Sequence, residues 1–298
     1  MKMHEDCLPC YLRQAMRVAR ICSAREEEHR AVTAAVSRLL EEIDMEQTPP
    51  ANAIAVYDCI AAVTGCPDPY RDLKRLSNEQ ALGLLPLIRA ELLASPDPLA
   101  TAVRFAVAGN SIDYGACATV DIEAAFSRCR SAVMAVDHLG FLLERVRRLK
   151  NGSRVLYLAD NCGEIVYDQL VLEILHEMGL DLTVAVRGGP IINDASLEDA
   201  LACGLDRHAR LISSGVACPG TSLDHCSDEL LTHFHQADLV ISKGQGNFET
   251  LSEVERDVFF LLLVKCRAAG RHLAELTGLD QRLLAGEGEM VVYYSPQR

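Results

Sequence analysis

The stretch VLYLADNCGEIVYDQLVLEIL, residues 155–175, places a buried strand directly before a helix. The apolar run that begins at Val155 stops abruptly at Asp160 and Asn161, and from Glu164 onward the apolar residues recur at helical spacing. Burying an acid and an amide is costly unless another group pairs with them. The stretch therefore predicts a strand, a polar turn and a helix, and a cation is the expected partner of the turn.

The same alternation of strand and helix continues to the C-terminus. Strands that alternate with helices form mostly parallel sheets covered on both faces, so we predict an α/β fold. The predicted strands are RVLYLA (154–159), LDLTVAVRG (180–188), ARLISSG (209–215), ADLVISKG (237–244) and MVVYY (290–294). Helical stretches between them include SLEDALACG (196–204) and DVFFLLLVKCRAAGRHLAEL (257–276).

Up to about residue 150 the spacing of apolar residues predicts helices and no convincing strand. The predicted helices lie in CYLRQAMRVARICS (10–23), EEHRAVTAAVSRLLEEI (27–43), NEQALGLLPLIRAELLA (78–94), LATAVRFAVAGNSI (99–112) and HLGFLLERVRRL (138–149). Pro49-Pro50 and Pro67-Asp68-Pro69 punctuate this region. We therefore predict a helical N-terminal domain over residues 1–150 and an α/β domain over residues 151–298, joined by the turn KNGS.

The composition argues against several kinds of partner. The 298 residues carry a formal net charge of -13, and cations that are outnumbered and scattered argue against nucleic-acid binding. No uninterrupted apolar segment reaches about 18 residues, which argues against a membrane partner. Twelve Cys without an apparent secretion signal predict a reducing cytoplasm. Nothing in the sequence predicts an oligomeric state, and an anionic substrate would need a local positive site.

Polar or glycine-rich residues follow each of the first four predicted strands. Because the carboxyl ends of parallel strands meet at one edge of the sheet, where ligands bind, these segments are expected to converge. They are DNCGE (160–164), RGGPIIND (187–194), SSG (213–215) and SKGQGN (242–247). This coincidence is the strongest signal in the chain for a binding site.

The residue types at this edge suit a hard divalent metal and a phosphoryl group. Asp160, Asn161 and Asp194 offer two carboxylates and an amide oxygen, the ligands that Mg²⁺ and Mn²⁺ prefer. Lys243 adds a positive charge beside a loop whose backbone N–H groups can approach an anion. Each feature has a simpler interpretation, since the aspartates could cap helices and Lys243 could be a solvated lysine. Their joint occurrence on one edge favours metal or phosphate binding.

Three segments together resemble the damage-control metabolite phosphatase family, also called domain of unknown function family 89. They are DNCGEIVYDQLVLEIL (160–175), RGGPIINDAS (187–196) and ISKGQGNFETL (241–251). AVAGNSIDYG and the N-terminal CLPCYLRQA resemble its mainly prokaryotic subgroup, which starts with Cys-x-x-Cys. The resemblance runs over essentially the whole chain. It implies a helical N-terminal region packed on a Rossmann-like three-layer α/β/α core, and hydrolysis of small phosphorylated metabolites.

The resemblance also implies a divalent metal, Mn²⁺, Co²⁺, Ni²⁺ or Mg²⁺, and a set of site residues. Carried over by motif, Asp160, Asn161 and Asp194 would be the metal ligands. Asn110 and Asp113 would enter the site from the helical half, near the substrate or a metal-bound water.

The phosphate-binding residues follow from the same resemblance. Lys243 would face the phosphate, and the backbone amides of the loop that contains Gly244, Gly246 and Asn247 would hold its other oxygens. The expected mechanism is attack by water, oriented by Asp113 or Glu164. A variant in which Asp160 is the nucleophile is disfavoured, because a carboxylate committed to a metal is a poorer nucleophile.

Other motifs have weaker interpretations. Cys7 and Cys10 form a Cys-x-x-Cys pair, which is half of a structural metal site or simply two thiols in the first turn of a helix. The His-x-His pair at 233 and 235 lies in a helical context, where that spacing does not place both rings on one face. Glu249 stands where a dinucleotide-binding loop would need its third glycine, so a NAD site is rejected.

Two other functions compete with the phosphatase. A Rossmann-like core is compatible with an S-adenosylmethionine-dependent methyltransferase, and a non-catalytic protein could bind phosphorylated metabolites through the same residues. A methyltransferase needs no metal, and a binding protein gives metal-dependent affinity without turnover. The sequence does not name the substrate.

Overall fold

The opening stretch folds as predicted into strand β2 (Arg154–Leu158), a polar turn and helix α7 (Glu164–Glu177). In the computed structural model, residues 1–109 and 132–297 are described. Five helices lie in the first of these ranges: α1 (Cys7–Cys22), α2 (Glu26–Leu40), α3 (Pro49–Thr64), α4 (Arg71–Ala94) and α5 (Pro98–Ala108). None of the described helices is long and apolar enough to cross a membrane.

Helix α3 begins at the proline pair that the sequence presents as a break. Pro49 and Pro50 occupy its first turn, where the missing N–H groups cost nothing, and the Thr48 side chain accepts a hydrogen bond from the Ala51 N–H. Gly65 ends the helix in a left-handed conformation, with φ of 64°. Helices α1, α2 and α3 bury a small core of their own, centred on Ala15, Val32 and Val56.

The remaining elements form a seven-stranded sheet and its helices. The strand order is β1-β7-β6-β5-β2-β3-β4, and every neighbouring pair is parallel except β6 and β7. The other strands are β1 (Val136–Asp137), β3 (Asp181–Val186), β4 (Arg210–Ser213), β5 (Leu239–Lys243), β6 (Val258–Val264) and β7 (Glu289–Ser295). The other helices are α6 (Leu139–Arg147), α8 (Leu197–Ala202), α9 (Asp228–Gln236), α10 (Gln245–Leu251) and α11 (Arg267–Thr277), with 3₁₀ turns at 205–207, 223–225 and 281–283.

The sequence prediction is wrong for residues 258–264, which form strand β6 and not part of a helix. All seven residues of VFFLLLV are buried, because β6 lies between β5 and β7 with helices on both faces. A run that is apolar at every position fits a doubly buried strand as well as a buried helix. The short strand β1 is a second difference, since no strand was expected before residue 150.

Helices cover both faces of the sheet, as predicted for a three-layer α/β/α core. Along β2, Val155 and Tyr157 face a core shared with α4, α5 and α7, whereas Leu156 and Leu158 face one shared with α9, α10 and α11. This alternation follows from the two-residue repeat of a strand. The first core joins residues on both sides of position 150, and the domain boundary there stays a prediction.

Candidate metal and phosphate site

Asp160 and Asn161 lie in the turn between β2 and α7, at the carboxyl edge of the sheet. The turn is fixed by Gly163, whose φ of 81° suits glycine, and by the Gly163 N–H, which donates to Asn78 Oδ1 of α4 at 2.6 Å. Both site side chains are buried, at 7% exposure for Asp160 and 9% for Asn161. A helix of the N-terminal region therefore anchors the turn that carries the predicted ligands.

The loop after β3 brings Asp194 to the same turn. Asn161 and Asp194 form an antiparallel β-bridge, and the Ala195 N–H donates to the Asp160 carbonyl at 2.8 Å. Ile192 in this loop has φ of 45°, a strained conformation for a β-branched residue. Asp160, Asn161 and Asp194, which are distant in sequence, are thus held next to one another.

Arg187, at the end of β3, donates to both aspartates. Its Nε lies 2.6 Å from Asp194 Oδ2, its Nη2 lies 3.1 Å from Asp160 Oδ1, and its Nη1 lies 3.0 Å from Asn247 Oδ1. Arg187 is 3% exposed. We call Arg187, Asp160, Asp194 and Asn247 the Arg187 cluster. Arg187 was assigned no role from the sequence, although an arginine at the end of a buried strand is a usable signal, because buried charges are paired.

The donor set fits a hard divalent cation. Two carboxylates and an adjacent amide supply the oxygen ligands that Mg²⁺ and Mn²⁺ prefer. Gly244, with φ of 79°, leaves room for this arrangement, because a Cβ at that position would overlap the Asp160 carboxylate. Burial raises the pKa of Asp194 to about 7, against the opposing effect of Arg187, so additional positive charge at this carboxylate would be stabilising.

Lys243 lies in a second buried cluster. Its Nζ donates to Glu164 and, at 2.7 Å, to Asp168 Oδ1, which also accepts from the Tyr157 hydroxyl at 2.7 Å. We call these four residues the Lys243 cluster. Burial lowers the pKa of Lys243, but the two carboxylates raise it to a greater extent, so the lysine stays charged. Its ammonium is paired with carboxylates here, and its phosphate-facing role stays a prediction.

The glycine-rich loop after β5 makes close backbone contacts. Gly246 packs against the Pro219 carbonyl, with no room for a Cβ. The Gly244 N–H donates to the Leu261 carbonyl at 3.0 Å, so amide contacts to a phosphate would have to come from the residues that follow it. Asn247, fully buried, donates to the carbonyls of Ala159 and Lys243 and accepts from Arg187 and Thr221. These contacts hold the loop against β2, and the substrate-binding roles of Gly244, Gly246 and Asn247 stay predictions.

Four residues of the sequence prediction remain, namely Asn110, Asp113, Cys7 and Cys10. Asn110 and Asp113 lie outside the described residues. Cys7 and Cys10 open helix α1, and over residues 1–109 and 132–297 no group of three or more His, Cys, Asp or Glu side chains is placed to hold a metal. Burial raises the pKa of the Cys7 thiol to about 11, which disfavours the thiolate form that binds metals. The second metal site and the Cys-x-x-Cys subgroup stay predictions.

Comparison with known proteins gives a consistent result. The sequence profile of the damage-control phosphatase ARMT1-like domain matches residues 3–279. A damage-control phosphatase of Pyrococcus horikoshii is 32% identical over 277 residues, which cover 92% of this chain and 94% of that protein. A damage-control phosphatase of Archaeoglobus fulgidus is 34% identical over 231 residues, which cover 76% of this chain and 79% of that protein.

The fold comparison agrees with the sequence comparison. The crystal structure of a DUF89 family protein from Pyrococcus horikoshii matches with a TM-score of 0.89 and 30% sequence identity, covering 99% of each chain. An uncharacterized protein of Methanocaldococcus jannaschii is 32% identical over 288 residues, covering 94% of this chain and 93% of that protein. The chain therefore belongs to the family of the damage-control phosphatase ARMT1-like domain.

Proposed function

We propose that this chain is a divalent-metal-dependent phosphatase that hydrolyses small phosphorylated metabolites. The observation that carries the proposal is the convergence of Asp160, Asn161 and Asp194 beside the buried cation Arg187. Membership of the damage-control phosphatase family supports the same activity. The ten cysteines among the described residues are all free thiols, which supports the predicted cytoplasmic location.

In the proposed mechanism, Asp160, Asn161 and Asp194 would hold the metal ion. When bound, the ion would supply Lewis-acid stabilisation of the charge that develops on the phosphoryl oxygens. Arg187 orients both carboxylates through its two hydrogen bonds, and it opposes the rise in the pKa of Asp194 that burial causes. A water molecule, oriented by Glu164 or Asp113, attacks phosphorus and gives a proton to that carboxylate. The bond between phosphorus and the ester oxygen breaks, and the leaving alkoxide takes up the proton, which gives the free alcohol and inorganic phosphate.

The role proposed for Lys243 has a structural requirement. To contact a phosphate oxygen, its buried ammonium would use its third N–H or move away from Glu164 and Asp168, and movement away from Glu164 would free that carboxylate to accept a proton from water. Burial raises the pKa of Glu164 to about 7, which suits a general base near neutral pH. Lys243 and Glu164 would then act together on the substrate.

The proposal is tested with protein stripped of metal by a chelator. A panel of phosphorylated metabolites and p-nitrophenyl phosphate is assayed with Mn²⁺, Co²⁺, Ni²⁺ or Mg²⁺ added back. We expect stripping to abolish phosphate release and at least one ion to restore it. Activity that survives stripping would contradict the proposal. Methyl transfer from S-adenosylmethionine without metal would favour a methyltransferase, and metal-dependent binding without turnover would favour a binding protein.

Asp160→Ala is the matching variant. We expect it to abolish metal-dependent turnover, because it removes a ligand at the centre of the site, and to leave the circular dichroism spectrum and the sheet intact. Asp206→Ala is the control and should retain activity, because Asp206 is an exposed residue of the 3₁₀ turn just before β4. Metal-dependent turnover by Asp160→Ala would refute this assignment.

A further inference from the structure

The guanidinium of Arg187 already interacts with both carboxylates that are proposed to bind the metal. Its Nε and Nη2 donate to Asp194 Oδ2 and Asp160 Oδ1 at 2.6 Å and 3.1 Å, and its third nitrogen is held by Asn247. With the side chain 2% exposed, solvent does little to screen these contacts. Arg187 is therefore a fixed positive charge that is hydrogen-bonded directly to both proposed carboxylate ligands of the metal.

Formal charges show what this cation does to the site. Asp160 and Asp194 contribute two negative charges and Arg187 one positive charge, so the Arg187 cluster carries one net negative charge. A divalent ion would change this to one net positive charge. The Lys243 cluster also has two carboxylates and one cation, so its lysine supplies no excess positive charge while it stays paired.

We propose that Arg187 competes electrostatically with the metal for Asp160 and Asp194, and that it supplies the excess positive charge that binds phosphate once the metal is present. The inference rests on the metal site proposed above and extends it. Two cations that share one pair of carboxylates weaken each other's binding, because each reduces the negative potential that the other experiences. Metal affinity is thereby kept low until a phosphate anion arrives, and metal and phosphate bind cooperatively.

A second buried cation gives a matched control. Lys74 of α4 pairs with Asp199 at 3.1 Å and with Asp68 at 3.5 Å, and its side chain is 4% exposed. It thus resembles the Arg187 cluster in having one cation between two carboxylates, but its ion pairs involve neither Asp160 nor Asp194. Loss of Lys74 is expected to affect folding stability without changing metal affinity.

The experiment compares Arg187→Gln, Arg187→Lys and Lys74→Gln with the unmodified chain. Mn²⁺ is titrated into the stripped full-length protein at about pH 8, with and without inorganic phosphate, and free Mn²⁺ is measured by electron paramagnetic resonance. We expect Arg187→Gln to bind Mn²⁺ roughly tenfold more tightly, as expected for removal of one nearby charge. Phosphate should tighten Mn²⁺ binding severalfold in the unmodified chain and have little effect in Arg187→Gln.

The two other variants separate charge from shape. Arg187→Lys keeps the charge, and its Mn²⁺ affinity should stay within about threefold of the unmodified chain, as should that of Lys74→Gln. If Arg187→Gln binds Mn²⁺ as weakly as the unmodified chain or more weakly, or if phosphate still tightens its Mn²⁺ binding, the proposal is wrong. If the unmodified chain binds no Mn²⁺, the metal site itself is refuted, which is a distinguishable result.

A folding defect would also be informative. Without Arg187 and without metal, two buried carboxylates lack a counter-charge, so Arg187→Gln that folds only with Mn²⁺ present would support the proposal. Failure to fold even with Mn²⁺ would contradict it, because the metal should replace the missing charge. Thermal unfolding with and without Mn²⁺ makes this distinction.

Discussion

The Arg187 cluster and the Lys243 cluster have the same ionic composition, and both are buried, but they differ in their small remaining exposure to solvent. In each, one basic side chain lies between two carboxylates near the carboxyl ends of neighbouring strands. In the Lys243 cluster, Lys243 and Asp168 are 0% exposed and Glu164 is 2% exposed, whereas Asp160 in the Arg187 cluster is 7% exposed. The Lys243 cluster is sealed, and the Arg187 cluster reaches the edge of the buried region.

The two clusters also differ in how completely their oxygens are hydrogen-bonded. Within the part of the chain that the structure describes, Glu164 Oε2 and Asp168 Oδ2 are buried without a hydrogen-bond partner, and no side-chain atom of the Arg187 cluster is in that position. An unpaired buried oxygen is unfavourable, so the Lys243 cluster depends strongly on its lysine. The comparison indicates that the sealed cluster contributes to folding stability, and it favours the Arg187 cluster as the place where a metal ion would bind.

Replacing Lys243 should produce the largest loss of stability. Lys243→Met leaves two buried carboxylates without their cation, and we expect the free energy of unfolding to fall by about 3–5 kcal/mol. Urea denaturation followed by circular dichroism measures this loss. Arg210→Met, which removes an exposed ion pair with Glu229, is the control and should change stability by less than about 1 kcal/mol. Similar small losses in both variants would contradict the structural role of the Lys243 cluster.

Asp194→Asn should affect activity more than folding. The amide keeps the shape of the side chain but removes one of the two carboxylates proposed to bind the metal. We expect kcat/KM for p-nitrophenyl phosphate with Mn²⁺ to fall about 10²–10³-fold, the usual range for losing one electrostatic contact in an active site. Asp199→Asn, in the carboxylate pair of Lys74, is the control and should retain most of the activity. If kcat/KM fell by a similar factor in both variants, Asp194 could not be distinguished from a structural carboxylate, and its assignment as a metal ligand would be contradicted.

The convergence of Asp160, Asn161 and Asp194 at one edge of the sheet was predictable from the sequence because its signal is local. Polar residues directly follow apolar runs at Asp160 and Lys243, and parallel strands bring such residues together whatever their separation in the chain. The helices of the N-terminal region were predictable for a similar reason, since their apolar spacing is regular. Strand β6 was not predictable in this way, because a run that is apolar at every position shows neither the two-residue repeat of a strand nor the spacing of a helix.

The pairings inside the two clusters could not be predicted from the sequence. Arg187 contacts Asp160 across 27 residues, and Lys243 contacts Asp168 across 75 residues. Sequence patterns show that a charge lies at the end of a buried strand, but not which opposite charge the packing brings to it. The family resemblance predicted that Lys243 faces a phosphate group. It did not predict the carboxylate partners of Lys243, because a shared motif indicates the role of a residue and not its contacts.

Glu249, which lies outside both clusters, shows the effect of burial on the pKa of a carboxyl group that has no arginine or lysine of the described residues hydrogen-bonded to it. Glu249 of α10 accepts a hydrogen bond from the neutral Gln245 amide, and burial raises its pKa from 4.5 to about 7. The folded state therefore binds the proton of Glu249 more tightly than the unfolded state. The resulting contribution to the free energy of unfolding is fully present below pH 4.5 and is lost as the pH rises through about 7.

The corresponding prediction concerns Glu249→Gln. Between roughly pH 5 and pH 8 the unmodified chain should lose about 2–3 kcal/mol of stability relative to this variant, which has no proton to release at that position. Urea denaturation of both proteins across this pH range measures the difference. Parallel stability profiles would show that Glu249 is ionised in the folded state, and that burial alone does not control its proton.

The smallest expected effect tests whether the sealed cluster takes part in chemistry. Tyr157→Phe removes the hydrogen bond to Asp168 Oδ1, which still accepts from Lys243, so the free energy of unfolding should fall by only about 1 kcal/mol. If the cluster only maintains the fold, kcat/KM should change less than about threefold. A tenfold loss of kcat with little loss of stability would show that the Lys243 cluster takes part in turnover, because a cluster that only maintains the fold would not change kcat.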